Sequence, residues 1–204
     1  MRVMSRRVSM PHAGKTALVV ERAKIVASVI ERAGGESMVA KIIYGDKSGA
    51  IGLFGVFEDF STACAASEAM SSDPKYLEFT NLRETSPAGD MSGPDVLSVL
   101  YGEIPLSAPV AMIRTYHMGR NNRDRALEIL ETIDSLLGED VRLAANAALI
   151  GPNMDVMNVV YGFNSMSHMG QSVQEVGFSS EFQALVKEAN TLGNLTSSRV
   201  QIPI

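Results

Sequence analysis

The stretch that decides the fold runs from Ser37 to Tyr76 and reads SMVAKIIYGDKSGAIGLFGVFEDFSTACAASEAMSSDPKY. A second stretch of the same length runs from Leu143 to Phe182 and reads LAANAALIGPNMDVMNVVYGFNSMSHMGQSVQEVGFSSEF. The two align without a gap, and apolar positions coincide more often than identical residues do. Coinciding pairs include Ile43 and Leu149, Leu53 and Val159, Phe57 and Phe163, and Tyr76 and Phe182. This repeated pattern predicts two similar units in tandem, residues 1–105 and residues 106–204.

The first unit begins with a short predicted strand and an amphipathic helix. Leu18, Arg22, Ile25 and Val29 lie at helical spacing, with Arg22 at the margin of the apolar face. Glycines at 34 and 35 end this helix. The pattern then predicts, in order, strands 38–44 and 50–57 as a hairpin, a helix over 58–70, a surface loop over 85–95 and a strand over 96–104.

The second unit repeats that order. Its pattern predicts a strand over 110–118, a helix over 124–137, strands 143–150 and 156–163, a helix over 165–176, a short apolar piece over 182–186 and a strand over 199–204. Each unit is therefore β-α-β-β-α-β, the ferredoxin-like arrangement, with both helices on one face of an antiparallel sheet. The predicted fold class is α+β.

The strands are apolar on both faces. Phe54 and Val56 share one face of the third strand, while Leu53 and Phe57 share the other. Helices cover one face, and the economical cover for the other is the sister sheet. We therefore expect the two sheets to pack face to face as an α+β barrel, closed either within the chain or across a homodimer.

Composition narrows the function classes. The chain has 204 residues, 46% of them hydrophobic, and a net charge of −5, which disfavours a nucleic-acid partner. The single cysteine, Cys64, cannot form an intramolecular disulfide. The sequence shows neither a secretion signal nor an apolar run of the about 20 residues that span a membrane. These features predict a cytoplasmic protein without a membrane partner.

The order of strand, amphipathic helix, Gly34-Gly35 stop, hairpin and helix resembles the dimeric α+β barrel superfamily. That superfamily includes small antibiotic-biosynthesis-type monooxygenases and stress-responsive barrel proteins. The likeness spans nearly the whole chain. It implies fold more than function, because the superfamily hosts several unrelated activities.

Asn146 and Asn158 are the most informative polar residues. They lie in neighbouring apolar strands at the same parity, so we expect them to share a face and lie close together. A buried amide without a partner costs about 1–3 kcal/mol, so the partner is the other asparagine, a water or a ligand. In cofactor-free monooxygenases of the superfamily, an asparagine helps to hold a substrate oxygen. That resemblance makes both residues catalytic candidates, with a structural hydrogen-bonded pair as the alternative.

Other candidates lie near the strand-to-helix turns. His12 and His117 are expected at the mouth of the barrel, with His117 as a proton-transfer group. Arginines cluster with Tyr116 around the second turn and form a potential anion site. The ligand-binding candidates are His12, Tyr44, Arg114, Tyr116 and Arg120. The alternative is a solvated charged loop with surface histidines.

Three functions from different classes remain open. The first is a barrel that binds a small apolar or aromatic metabolite, with monooxygenase-type chemistry that needs no cofactor. The second is a non-catalytic structural or stress-type barrel. The third is a haem protein, because haem-binding relatives with two units per chain take the axial ligand from the C-terminal unit, where His168 lies. The sequence predicts no metal site apart from this haem alternative.

Overall fold

A computed structural model describes all 204 residues. The first half, residues 1–105, contains β1 (Val3–Pro11), α1 (Thr16–Arg32), β2 (Glu36–Gly45), β3 (Ile51–Phe57), α2 (Phe60–Ser71), α3 (Pro74–Thr85) and β4 (Gly89–Tyr101). The second half, residues 106–204, contains β5 (Val110–Met118), α4 (Arg123–Leu136), β6 (Arg142–Ile150), β7 (Val156–Phe163), α5 (Met166–Ser172), α6 (Ser180–Leu192) and β8 (Gly193–Pro203). A 3-10 turn, Arg120–Asn122, precedes α4, and a π-helical turn, Val173–Gly177, follows α5.

The eight strands form one closed antiparallel barrel in the order β1-β3-β2-β8-β5-β7-β6-β4. The strands of each half are neighbours, and the halves join along two seams, β2 with β8 and β4 with β6. The helix-free faces of both sheets therefore line the inside of the barrel, which confirms the predicted α+β fold. Closure takes place within one chain.

Alternation along each strand separates an inner from an outer core. In β3, Phe54 and Val56 face the barrel interior, while Leu53 and Phe57 pack against the helices. The outer core forms two large clusters, one under the helices of each half. Smaller clusters fill the inside, where residues of the connection between β4 and β5 also pack. None of the helices has the length and apolar character needed to cross a membrane.

The predicted loop over 85–95 is wrong for most of its length. α3 continues to Thr85, and β4 already begins at Gly89 and pairs with β1. The register shifts between Arg6 and Val8, so that Gly93 and Pro94 fall in the irregularity. A bulge is where a strand tolerates proline, because the ladder needs no N–H there. The glycines and prolines that indicate a loop in the sequence therefore lie inside a strand, which ends at Tyr101.

Two helices, α3 and α6, lie where the sequence did not predict a helix. Asp73 and Pro74 follow the end of α2 and begin α3: the Asp73 carboxylate accepts hydrogen bonds from the backbone N–H groups of Lys75 and Tyr76. Proline at the first helical position suits such a start. The apolar piece predicted over 182–186 is part of α6, which Ser179 caps. The last strand consequently begins at Gly193.

Asp73 also joins α3 to α1, because Arg32 donates to its Oδ2 at 2.6 Å. This hydrogen bond, together with the backbone N–H donors, lowers the pKa of Asp73. A carboxyl whose folded pKa is depressed contributes stability above its unfolded pKa of about 3.9 and loses it as pH falls through the folded value. We expect the difference in Tm between the wild type and Asp73→Asn to be constant above about pH 5 and to vanish in stronger acid. A difference that has the same size at neutral and at acid pH would show that the charge of Asp73 contributes nothing.

Candidate functional site

Three arginines from separate elements of the first half converge on one cavity. Arg7 projects from the outer face of β1, Arg22 from α1 and Arg83 from the last turn of α3. We call this space, of about 130 Å³ between the sheet and the helices, the arginine cavity. Its remaining walls are largely apolar and include Val19, Val26, Ile51, Leu53, Phe79 and Met91.

Arg22 is the best-defined member of the arginine cavity. It is only 7% exposed, its Nη1 donates to the backbone oxygen of Ser86 at 2.8 Å, and its Nε is buried without a partner. No carboxylate lies within salt-bridge distance of Arg7, Arg22 or Arg83. A buried cation without a counter-ion is unfavourable, so this wall of the cavity is suited to an anionic group.

A second outer cavity shares Arg7 with the first. It has a volume of about 220 Å³ and lies between α2 and the sheet. Its walls are mainly apolar and include Val3, Ile30, Phe57 and Met70, with Cys64 among the few polar residues. Arg7 therefore lines two largely apolar cavities, one beside α3 and the other beside α2.

The inner cavity is a separate space inside the barrel. Asn146 and Asn158 line it and are 1% and 2% exposed. Thr115 Oγ1 donates to Asn158 Oδ1 at 2.9 Å, and Asn158 Nδ2 donates to Asn146 Oδ1 at 2.8 Å. The asparagines share a face and touch, as their parity predicts. Their catalytic role stays a prediction.

The predicted rim residues do not join the asparagines. His117 is exposed at the end of β5 and does not line the inner cavity. His12 is exposed and lies 3.3 Å from a carboxylate oxygen of Asp90. Tyr44 is 59% exposed near the end of β2. These side chains lie at the surface rather than around one site.

The predicted arginine cluster around β5 is also dispersed. Arg114 lies on the outer face of β5, 5.7 Å from the centre of the Tyr161 ring and 5.9 Å from that of Phe182, as a cation over two aromatic faces. Tyr116 is buried in the core beneath α4 and α6, and Arg120 is exposed in the 3-10 turn. Arg114 and Tyr116 line different cavities, and Arg120 lines neither of these.

His168 does not fit a haem ligand. Its Nδ1 accepts a hydrogen bond from the backbone N–H of Asn164 at 3.2 Å, and its ring packs edge-on against Phe163. The cavity under the helices of this region has a volume of about 20 Å³, and His168 is not among its lining residues. A haem needs a space of several hundred cubic ångströms, far more than this cavity offers.

The arginines of the outer and inner cavities were not among the predicted site residues. One signal was present for Arg22, which lies at helical spacing with the apolar residues of α1 rather than on its wet face. A second was the alternation of Arg199 and Gln201 in a strand that is otherwise apolar near its end. Neither signal identifies Arg7 and Arg83, because their convergence depends on how α3 packs.

No protein-family model and no curated protein matches the chain. Among solved structures, a candidate monooxygenase from Fusobacterium nucleatum is 7% identical, with a TM-score of 0.67 over 98% of this chain and 92% of that chain. An anthrone oxidase-like protein is 11% identical, with a TM-score of 0.66 over 100% and 91%. A heme-binding protein from Thermus thermophilus is 12% identical, with a TM-score of 0.55 over 100% and 90%. At these identities the likeness shows the fold, that of the α+β barrel proteins.

Proposed function

We propose that this protein binds a small apolar or aromatic metabolite that carries an anionic group, in the arginine cavity. The observation that carries the proposal is the buried guanidinium of Arg22, which has an unpartnered Nε and lies beside Arg7 and Arg83 without a carboxylate. A carboxylate or sulfonate would supply the missing counter-charge in the two-oxygen geometry that guanidinium groups recognise.

The apolar walls account for the rest of the ligand. Burying an apolar body releases about 25 cal/mol for each Å² removed from water. The volume of about 130 Å³ admits a compact body, and the neighbouring cavity beyond Arg7 offers space for a longer one. The name of one similar structure, an anthrone oxidase-like protein, is in keeping with a ligand of aromatic type.

The lining of the arginine cavity favours binding over catalysis. Its polar side chains are the three arginines and Ser9, and it contains no carboxylate or imidazole that would accept a proton. Cofactor-free monooxygenase chemistry at His117, Asn146 and Asn158 is a separate proposal. It requires a substrate to bridge an exposed histidine and a buried amide pair.

The charge requirement can be tested with two matched dyes. Anilinonaphthalene sulfonate and phenylnaphthylamine share their aromatic rings, and only the first carries an anionic group. We expect saturable fluorescence enhancement with both dyes, and Arg22→Met should weaken the sulfonate dye about 10- to 100-fold while changing the neutral dye little. The reason is that only the sulfonate loses a charged hydrogen bond.

Arg142→Met serves as the control variant, because Arg142 is exposed in the second half and donates to Ser107. It should bind both dyes as the wild type does. Equal weakening of both dyes by Arg22→Met would contradict the anion requirement. Weakening by Arg120→Met instead would place the anion at the β5 turn.

Two further measurements separate the alternatives. Mass spectrometry of small molecules released on denaturation should detect an organic anion. A chain that releases none and binds neither dye would be a structural barrel. Added haem should keep the Soret band of free haem, with neither shift nor sharpening, since the surroundings of His168 do not fit that group.

A further inference from the structure

Arg199 is a buried cation without a hydrogen-bond partner. It projects from β8 into the inner cavity, is 7% exposed, and its Nε is buried with no protein group to accept from it. Burial, with the like charge of Arg6, lowers the pKa of Arg199 to about 10. The group is therefore still charged at neutral pH, which makes the missing partner costly.

The other charged groups around the cavity do not neutralise it. Arg6 Nη2 donates to Asp95 Oδ2 at 2.7 Å, so that pair balances itself. Asp46 lies near enough to oppose the loss of charge on Arg199, yet it is not within salt-bridge distance. No carboxylate lines the cavity, so one positive charge remains unbalanced inside the barrel.

Two neutral groups in the lining of the same cavity are also unsatisfied. Asn146 Oδ1 accepts the hydrogen bond from Asn158, whereas the Nδ2 of the same amide is buried without a partner. Gln201 Oε1 is buried without a partner on the same strand face as Arg199. The cavity thus presents two sets of free donors and one free acceptor to the same small space.

The volume limits what can bind there. The inner cavity measures about 30 Å³, while a single water needs about 10–15 Å³. Its remaining walls are mainly apolar and include Met4, Phe54, Leu97, Ile113 and Val160. A metabolite of the size expected in the arginine cavity does not fit, whereas an anion of three or four heavy atoms does.

We propose that the inside of the barrel binds a small monovalent oxyanion such as formate or hydrogencarbonate. Arg199 and the Asn146 amide donate to its oxygens, and Gln201 accepts from its hydroxyl where it has one. The chain of hydrogen bonds from Thr115 through Asn158 positions the Asn146 amide toward the anion. The site is independent of the arginine cavity, which lies on the other side of the sheet.

Equilibrium dialysis with radiolabelled formate and hydrogencarbonate, at constant ionic strength set with sodium gluconate, whose anion is too large for the cavity, tests the site. We expect saturable binding of one anion per chain, weakened at least tenfold in Arg199→Met and severalfold in Asn146→Ala. Arg142→Met is the control and should bind as the wild type does. Hydrogencarbonate should bind more tightly than formate, because only it has a hydroxyl for Gln201.

Three results would overturn the proposal: no saturable binding by the wild type, unchanged binding in both Arg199→Met and Asn146→Ala, or displacement by chloride at the same concentration as formate. The first would mean that water alone fills the cavity, and the third that the site takes a halide. If Arg199→Met does not fold by circular dichroism, Asn146→Ala and Arg199→Lys decide, since the lysine keeps the charge and loses the fork. Binding of the sulfonate dye should be unchanged in these variants, which separates this site from the arginine cavity.

Discussion

Replacing Gly45 by alanine is expected to lower the free energy of unfolding by about 3–5 kcal/mol, because two costs add. Gly45 has a φ of 79°, a left-handed conformation that side chains disfavour. A Cβ atom there would lie 2.1 Å from the backbone oxygen of Ser198 in β8. Backbone cannot rotate away as a side chain does, so the seam between β2 and β8 has to open.

Gly49 provides the matched control. It lies in the same turn with a φ of 93°, and a Cβ atom there would meet nothing within 4 Å. Gly49→Ala should therefore cost only the conformational strain, about 1 kcal/mol. Chemical denaturation of both variants measures the difference. If the two variants are equally destabilised, the close approach of the Ser198 backbone does not explain why position 45 needs glycine.

The other seam has the same feature. Gly102 follows β4 with a φ of 59°, and its Cβ would lie 2.1 Å from the backbone oxygen of Leu143 in β6. At each seam between the halves, one glycine in the left-handed conformation allows the two backbones to approach too closely for a Cβ atom. The tight closure of the barrel depends on these two positions as well as on strand pairing.

Asn158→Ala is expected to destabilise the protein by about 2–4 kcal/mol, since a buried group left unsatisfied costs about 1–3 kcal/mol. The substitution removes the donor to Asn146 Oδ1 and the acceptor of Thr115 Oγ1, so two polar atoms lose their partner. Chemical denaturation measures the loss. Lys187→Ala is the control, because Lys187 lies outside the barrel on α6 and should change stability by less than about 0.5 kcal/mol.

A double-mutant cycle separates this pair from general packing. Removing Asn146 in the Asn158→Ala background should cost much less than removing it from the wild type, because the buried acceptor disappears with its donor. Additive effects on the denaturation midpoint would show that the two amides do not act as a unit.

The fold was predictable where the signal is local. Apolar residues on both faces of β3, with Leu53 and Phe57 on one and Phe54 and Val56 on the other, indicate burial on both sides. The closed barrel provides that burial. The prediction failed where a dipeptide is compatible with more than one structure. Asp73-Pro74 follows one helix and begins the next. Gly93-Pro94 lies in a bulge of a strand instead of in a loop.

The candidate sites were less predictable, since they depend on contacts between distant residues. Parity alone placed Asn146 beside Asn158. It did not place Arg199 in the same cavity, because that requires β8 to close the barrel from the far end of the chain. Likewise Arg7, Arg22 and Arg83 come from three elements, and only the packing of these elements places all three residues around one cavity.

The two seams also bear on self-association. In a closed barrel of eight strands, every strand pairs with a neighbour on both sides. No strand edge is therefore free to pair with a strand of another molecule. Each half instead meets the other as a tethered partner, at a local concentration that dilution does not change. Any larger assembly of this chain would have to form through surfaces other than strand edges.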